Sequence, residues 1–307
     1  MTVSAAPAEA LLEGAGSPRR SRLRGTPDAR AYGLATITVI YLLWSLVPVA
    51  ITVLFSFNAG RSRGVWQGFS LRWYTWDPTG SVINDESLRT ALTHTLLLAL
   101  LTTAVAVPIG VLFALALDRW RGRIPSGANF LALITFVMPE IALAIGLLFM
   151  VTYLATPFGL GSWAQVVGLV TFQLAYPIVI CRARLLTIGA HYEEAARDLG
   201  ASALGAIRRV TLPMLFPAIL VSTILVFADV LDDFVIVRYL SSDASTETTS
   251  MRIYQTARAA PTPALNAMAT IILVVSTVVI VLGWLGYRRW AKRQGDAADI
   301  TSLAGNL

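Results

Sequence analysis

The sequence predicts an all-α fold, a polytopic membrane helix bundle of six transmembrane helices, and three observations predict it. Hydrophobic residues make up 56% of the 307 and charged residues only 14%, with a mean hydropathy of +0.66, too little charge to coat a water-soluble domain of this length. Apolar stretches of about 20 residues, the length a helix needs to cross the hydrocarbon layer, recur at Tyr32 to Phe55, Ala91 to Leu117, Ala128 to Leu154, Trp163 to Cys181, Met214 to Val237 and Leu265 to Tyr287. Arginines gather in every second connection between them.

Ahead of the first span lies a leader, residues 1–31, whose Gly14 to Ala31 stretch is rich in Pro, Gly and Arg and reads as disordered. The span behind it is longer than the apolar region of a signal peptide and is read as a membrane helix. The leader carries Arg19, Arg20, Arg22, Arg24 and Arg30, and the same side receives Arg119, Arg121 and Arg123, then Arg182, Arg184, Arg197, Arg208 and Arg209. Arg288, Arg289, Lys292 and Arg293 complete it in the tail, 288–307. The opposite connections are longer and hold fewer, which puts the leader and the tail in the cytoplasm around one transmembrane domain, 32–287. This topology and contact with anionic lipid account for the net charge of +6 without nucleic acid.

Several chemistries are excluded. A P-loop needs Lys directly after Gly, and the single lysine, Lys292, follows Ala291, so ATP hydrolysis is not expected of this chain. His94 and His191 are the two histidines and fall on opposite sides of the predicted membrane, which leaves no two-His metal site and no His-centred triad. Cys181 has no second cysteine to pair with and reads as a buried thiol. No catalytic residue, metal or cofactor is predicted.

Between the fourth and fifth spans lies a polar insert, 191–213, containing Glu194-Ala195-Ala196-Arg197-Asp198-Leu199-Gly200 and, further on, Val210-Thr211-Leu212-Pro213. Helix is favoured from His191 to Leu199, with Glu193 and Glu194 in the first turn complementing the helix dipole and Gly200 as a left-handed stop. Ser202 caps a second short helix through Arg209, and Pro213 marks entry into the fifth span, where its missing N–H costs least. Ala195 and Ala196 make a low patch, and Glu194, Arg197 and Asp198 a charged rim suited to fixing the orientation of a partner. On chemistry alone an ordinary solvated hairpin fits as well.

The insert resembles the EAA loop of bacterial ABC-importer permeases, Glu-Ala-Ala, three residues, Gly, nine residues, then Ile-x-Leu-Pro, with Val210 standing where the family usually has Ile. Phe69-Ser70-Leu71-Arg72-Trp73-Tyr74, Met138-Pro139-Glu140-Ile141, Leu231-Asp232-Asp233-Phe234-Val235-Ile236 and Thr262-Pro263-Ala264-Leu265-Asn266-Ala267 are similar to the spermidine/putrescine-type subfamily, the second of its two membrane subunits. The resemblance implies a type I importer permease of the bacterial inner membrane. It implies pairing with a second permease subunit, identical or different, with cytoplasmic ATPase subunits and with an extracytoplasmic substrate-binding protein. It also implies that Glu194, Ala195, Ala196, Arg197, Asp198, Gly200, Leu212 and Pro213 serve coupling to the ATPase. One departure is Ala264, where the family often carries Glu, so any contact of that carboxylate is missing.

Carboxylates inside spans are expensive and are expected to face the bundle interior or a wet cavity. Glu140 falls near the middle of the third span, and Asp229, Asp232 and Asp233 in the outer half of the fifth at offsets that put all three on one helical face. A translocation path for polyamines or similar small organic cations is one reading of these four. Capping of a helix break by the Asp pair, and satisfaction by Glu140 of groups freed at Pro139, is the other. A proton-coupled secondary carrier, or an ABC permease for an amino-acid derivative, an opine, an anion or iron, also stays open. Gly110 and Gly146 are read as close-packing contacts. Tyr41, Trp44, Trp66, Trp73, Trp76, Trp120, Trp163, Trp284, Tyr287 and Trp290 are read mostly as headgroup-level anchors, and Trp66 to Trp76 alternatively as a lid or a contact for a binding protein.

Overall fold

The computed structural model of the chain describes residues 29–62, 64–78, 80–119, 123–154, 159–259 and 262–293. The predicted leader up to residue 28, Trp120 and the tail beyond residue 293 lie outside these residues. The helices are α1 (Ala29–Ser56), α2 (Glu86–Arg119), α3 (Arg123–Val137), α4 (Glu140–Tyr153), α5 (Ser162–Gln173), α6 (Ala175–Ile188), α7 (His191–Asp198) and α8 (Ala203–Ala206). They continue as α9 (Leu212–Asp232), α10 (Val235–Leu240), α11 (Thr249–Ala259) and α12 (Pro263–Arg293). Residues 29–31 and 288–293 are helical, so helix extends past both predicted domain edges.

The chain divides into two units, 1–50 and 51–307. In the first, α1 is apolar and exposed at every side chain from Tyr32 to Ala50. Its hydroxyls are satisfied within the helix, Thr36 donating to the Tyr32 carbonyl and Thr38 to that of Leu34, each at 2.9 Å. That is how a lone helix carries hydroxyls where no water competes.

In the second unit α2 is the central helix, packed against α5, α6 and α9. Ala99, Ala106 and Ala114 on α2 are fully buried. Small side chains there let neighbouring backbones approach, which matters in lipid because apolar tails give helices little hydrophobic reason to associate. Gly110 takes this furthest: a Cβ built on it would lie 2.3 Å from Cγ of Pro177 on α6. Gly146 is different, with nothing within 4 Å of a Cβ, and is not a packing contact within the described chain.

A buried polar network ties α2, α5 and α10 together. The Gln165 amide donates to the carbonyls of Val237 (3.0 Å) and Thr246 (2.9 Å). Its Oε1 is thereby left as the acceptor for Nε2–H of His94 at 2.8 Å. The described residues between 57 and 85 form the connection ahead of α2. Trp73, only 2% exposed, donates its indole N–H to the Asn58 carbonyl at 2.7 Å. Arg72 pairs with the buried Asp77 at 2.5 Å. Trp73 is therefore core and not an interfacial anchor. It packs in a second apolar cluster with Val82, Leu88, Ala264 and Met268, so Ala264 sits in the space where a larger acid would need a partner.

Among the described residues, five helical segments are long and apolar enough to cross a membrane. The predicted third span, 128–154, is not one straight helix: Phe130–Val137 and Glu140–Tyr153 are bent by 106°. Pro139 explains the break, because its ring pushes Met138 out of the helical region and it has no N–H to give. Counted as one broken span, the pair brings the total to six. The predicted fifth span also overruns a break, since α9 stops at Asp232 and Val237 already belongs to α10. The fourth continues past Cys181 to Ile188, with the thiol buried as expected.

Gly110→Ala is expected to destabilise the purified protein by about 1–3 kcal/mol, because the Pro177 ring cannot yield to an added methyl. Gly146→Ala is expected to be neutral or stabilising by up to about 1 kcal/mol through helix propensity. Unfolding midpoints in detergent check the pair, and equal effects would contradict the packing assigned to Gly110.

Candidate functional sites

The 191–213 insert folds as helix, turn, helix, and glycines bound its first helix. Gly189 ends α6 with φ 75°, and Gly200 ends α7 with φ 88°. The Gly200 N–H donates to the Arg197 carbonyl at 2.9 Å and the Ala201 N–H to that of Ala196 at 3.0 Å. These paired bonds satisfy the last carbonyls of α7 and require a left-handed residue between them. Ser202 Oγ accepts from the Gly205 N–H at 3.1 Å and caps α8. The second helix differs from the prediction, since α8 ends at Ala206 and a π-helical turn, Ile207–Thr211, leads into α9. Pro213 supplies the reason. In a regular helix its ring would meet the Arg209 carbonyl four residues back, and a wider turn relieves that clash.

The predicted coupling residues do not share one surface. Glu194, Ala195, Arg197, Asp198 and Gly200 are exposed, whereas Ala196 is half-buried. Leu212 and Pro213 lie half-buried in the first turn of α9, and Leu212 packs on the core. Two apolar side chains that the sequence reading did not single out are exposed beside them, Leu199 at 91% and Leu204 at 73%. Their signal was present: each is a large aliphatic residue in a polar insert, next to a helix stop or start. Glu193 faces inward. Arg119, at the end of α2, forms an ion pair with it, and Thr211 donates to it at 3.2 Å. The hydrogen-bonded Arg119 guanidinium holds the Glu193 carboxyl below the ordinary carboxylate range against the opposite pull of burial. The pair is thus charged at neutral pH, and its contribution is lost only as pH falls through that lowered value.

The four acidic residues gather where two helix breaks meet, since α4 and α10 pack together. Asp229 and Asp232 sit three residues apart on α9, but Asp233 lies past its end, so the three aspartates do not share one helical face as predicted. Asp229 Oδ2 accepts from the buried Gln173 amide at 2.7 Å. Asp232, in the last turn of α9, is exposed, while Asp233 lies past the helix end and is 8% exposed. Asp233 Oδ1 accepts the Val237 N–H at 3.2 Å in the first turn of α10, and its own carbonyl accepts from Ser250 Oγ at 2.5 Å. Glu140 opens α4 just after Pro139, and its carboxyl meets that of Asp233. Tyr176 of α6 lies close to Asp229, Glu140 and Asp232. Beside this group a cavity of about 530 Å³ is lined by Asp232, Phe234, Ser250, Tyr254 and Ile272, among others. The Phe234 and Tyr254 rings are 4.7 Å apart. The arrangement offers the Asp232 carboxylate and the Phe234 and Tyr254 rings to a cavity, with the Arg258 guanidinium over the Tyr254 ring at 4.6 Å and the remaining acids held by neighbouring groups.

Residues 106–293 match the family model described as binding-protein-dependent transport system inner membrane component. The spermidine/putrescine transport system permease protein PotC of Escherichia coli (strain K12) is 32% identical over 264 residues, covering 86% of this chain and 96% of that protein. The putrescine transport system permease protein PotI of the same strain is 31% identical over 280 residues, covering 89% and 96%. Among solved structures, a chain of a bacterial ABC transporter involved in the import of the acidic polysaccharide alginate has a TM-score of 0.67 at 17% identity, covering 85% of this chain and 96% of that one. That likeness is one of fold. With a family model spanning more than half of the sequence and relatives aligned over nearly their whole length, this chain belongs to the binding-protein-dependent transport system inner membrane components, the multi-pass permeases of ABC importers.

Proposed function

We propose that this permease moves polyamines or similar small organic cations and couples to a separate ATPase through its 191–213 insert. The observation that carries the reading is the 32% identity to a spermidine/putrescine permease over 86% of the chain. The acidic group beside the aromatic-lined cavity supports it, because a carboxylate and aromatic faces both attract organic ammonium groups. The insert faces the cytoplasm in this reading, together with both termini. Glu194, Arg197 and Asp198 orient a partner, and Leu199 and Leu204 enter an apolar groove on it. Gly200, Leu212 and Pro213 set the angles of the segment, while Ala195 and Ala196 keep its profile low. A second permease subunit completes the path, a binding protein delivers cargo from outside, and catalysis resides in the ATPase.

The path role divides among the acids. Asp232 is the exposed carboxylate on the cavity and meets cargo directly. Glu140, Asp229 and Asp233 set the field around it. Asp233 also caps α10, so the two readings of the Asp pair coexist at that residue. Neutralising only the charge separates them, because Asn caps nearly as well as Asp.

Gly200→Val places a β-branched residue at positive φ, at a cost of about 1–2 kcal/mol, and is expected to displace α7 without unfolding the spans. Glu194→Lys reverses a charge on the proposed docking surface. Both variants are expected to insert normally yet to lose ATPase association and uptake, measured by co-purification and by transport in proteoliposomes. Full retention of both activities in both variants would remove the coupling role.

Asp229, Asp232 and Asp233 changed together to Asn are expected to raise the KM for a radiolabelled polyamine about tenfold, equivalent to about 1.4 kcal/mol, at normal expression. Unchanged uptake would leave capping as the whole role of these residues and would remove the residue-level reason for a cationic cargo.

A further inference from the structure

α7 has no buried side chain. Its chain connections run through Gly189 and Gly200, both with positive φ. A short helix between two such joints has little packing to fix its direction, so side-chain ties must do it. The polar tie from α7 to the membrane helices runs through Glu193. Arg119 engages both carboxylate oxygens, Nη2 on Oε2 and Nε on Oε1, the latter at 3.4 Å. Thr211 Oγ1 donates to Oε2 at 3.2 Å. Two donors from one guanidinium hold a carboxylate in a defined plane, which one ammonium cannot do.

The two partners of Glu193 are themselves seated on backbone that moves with the bundle. Arg119 closes α2, and its Nη1 also donates to the Leu115 carbonyl at 3.3 Å in that helix's last turn. Thr211 ends the π-helical turn from which α9 grows. α2 and α9 pack on each other and on α6. One carboxylate therefore joins α7 to the ends of two core helices, one of them 74 residues away in sequence. Arg197, one turn along α7, adds a second positive charge near it.

We propose that Glu193 is a positioning residue: with Arg119 and Thr211 it forms a clamp that makes a displacement of α7 a displacement of α2 and α9. The glycine joints let α7 tilt, and the clamp decides what it carries along. The proposal rests on the reading of α7 as the ATPase-docking helix. It adds that Glu193, which precedes the Glu-Ala-Ala run and faces away from any docked partner, carries the force inward.

The test uses Glu193→Gln, which keeps shape and removes charge, Arg119→Gln, and the exchanged pair Glu193→Arg with Arg119→Glu. Hydrogen exchange of the α7 amides in the purified full chain reads the clamp without the ATPase. Uptake per ATP hydrolysed, in the reconstituted complex, reads coupling. Each single variant is expected to speed α7 exchange about tenfold and to cut uptake per ATP about tenfold, with ATPase co-purification unchanged. The exchanged pair is expected to recover more than half of both losses, which a merely misfolded variant would not. Unchanged α7 exchange in Glu193→Gln, no recovery in the exchanged pair, or faster exchange with full uptake per ATP would each overturn the proposal. Failure of the docking reading shows elsewhere, as ATPase association that survives Glu194→Lys.

Discussion

The constraint on which the rest of this structure depends is that backbone polar groups inside a bilayer find no water and must be satisfied by the protein itself. Continuous helices meet it automatically. Every interruption must be met by a side chain, and here the interruptions occur together. The 106° bend at Pro139 and the end of α9 at Asp232 lie at the contact of α4 with α10. Asp233 takes up the Val237 N–H, Ser250 takes up the Asp233 carbonyl, and Gln165 binds the carbonyl of Val237. Acidic and amide side chains are thus drawn to one depth by backbone chemistry before any cargo is considered. That gives the proposed path its location: the place where the protein must be polar is also the place where a polar solute meets the least resistance.

Packing follows from the same setting. Lipid does not drive apolar helices together, so α2 is held by closeness of fit and by a few buried hydrogen bonds. Gly110 against Pro177 and the His94–Gln165 bond are the two kinds of contact in their simplest form. At the 191–213 end the problem is reversed. Burial is slight there, so α7 is oriented by two glycine joints and one ion pair. α2 and α9, by contrast, pack directly on each other.

The proposed sites were legible to different degrees. Gly200 as a left-handed stop and Ser202 as a cap follow from local chemistry and are present with the expected hydrogen bonds. The apolar pair Leu199 and Leu204 was visible as two large aliphatic residues in a polar insert, but their exposure depends on which way a short helix is tilted and shows only in the fold. The role of Glu193 was hidden more deeply. Its partner Arg119 is far off in sequence, and a charge in a polar insert looks like any other until the fold closes the distance.

The amino-acid sequence by itself determined the class of fold and the family, because hydrophobic length and the spacing of the insert are properties of the chain read in one dimension. It also placed Pro139 and the Asp pair where breaks occur. What only the tertiary structure decided is how each break is resolved and which groups meet across it. A proline announces that a helix must yield but not by what angle, and the bend sets whether Glu140 meets Asp233 or points elsewhere. The three aspartates share a face only while the helix continues. Once α9 stops at Asp232, the next residue turns inward to cap α10 and the common face is lost. Helical periodicity holds as far as the hydrogen bonds that create it, and the points where those bonds end are chosen by contacts between helices distant in sequence.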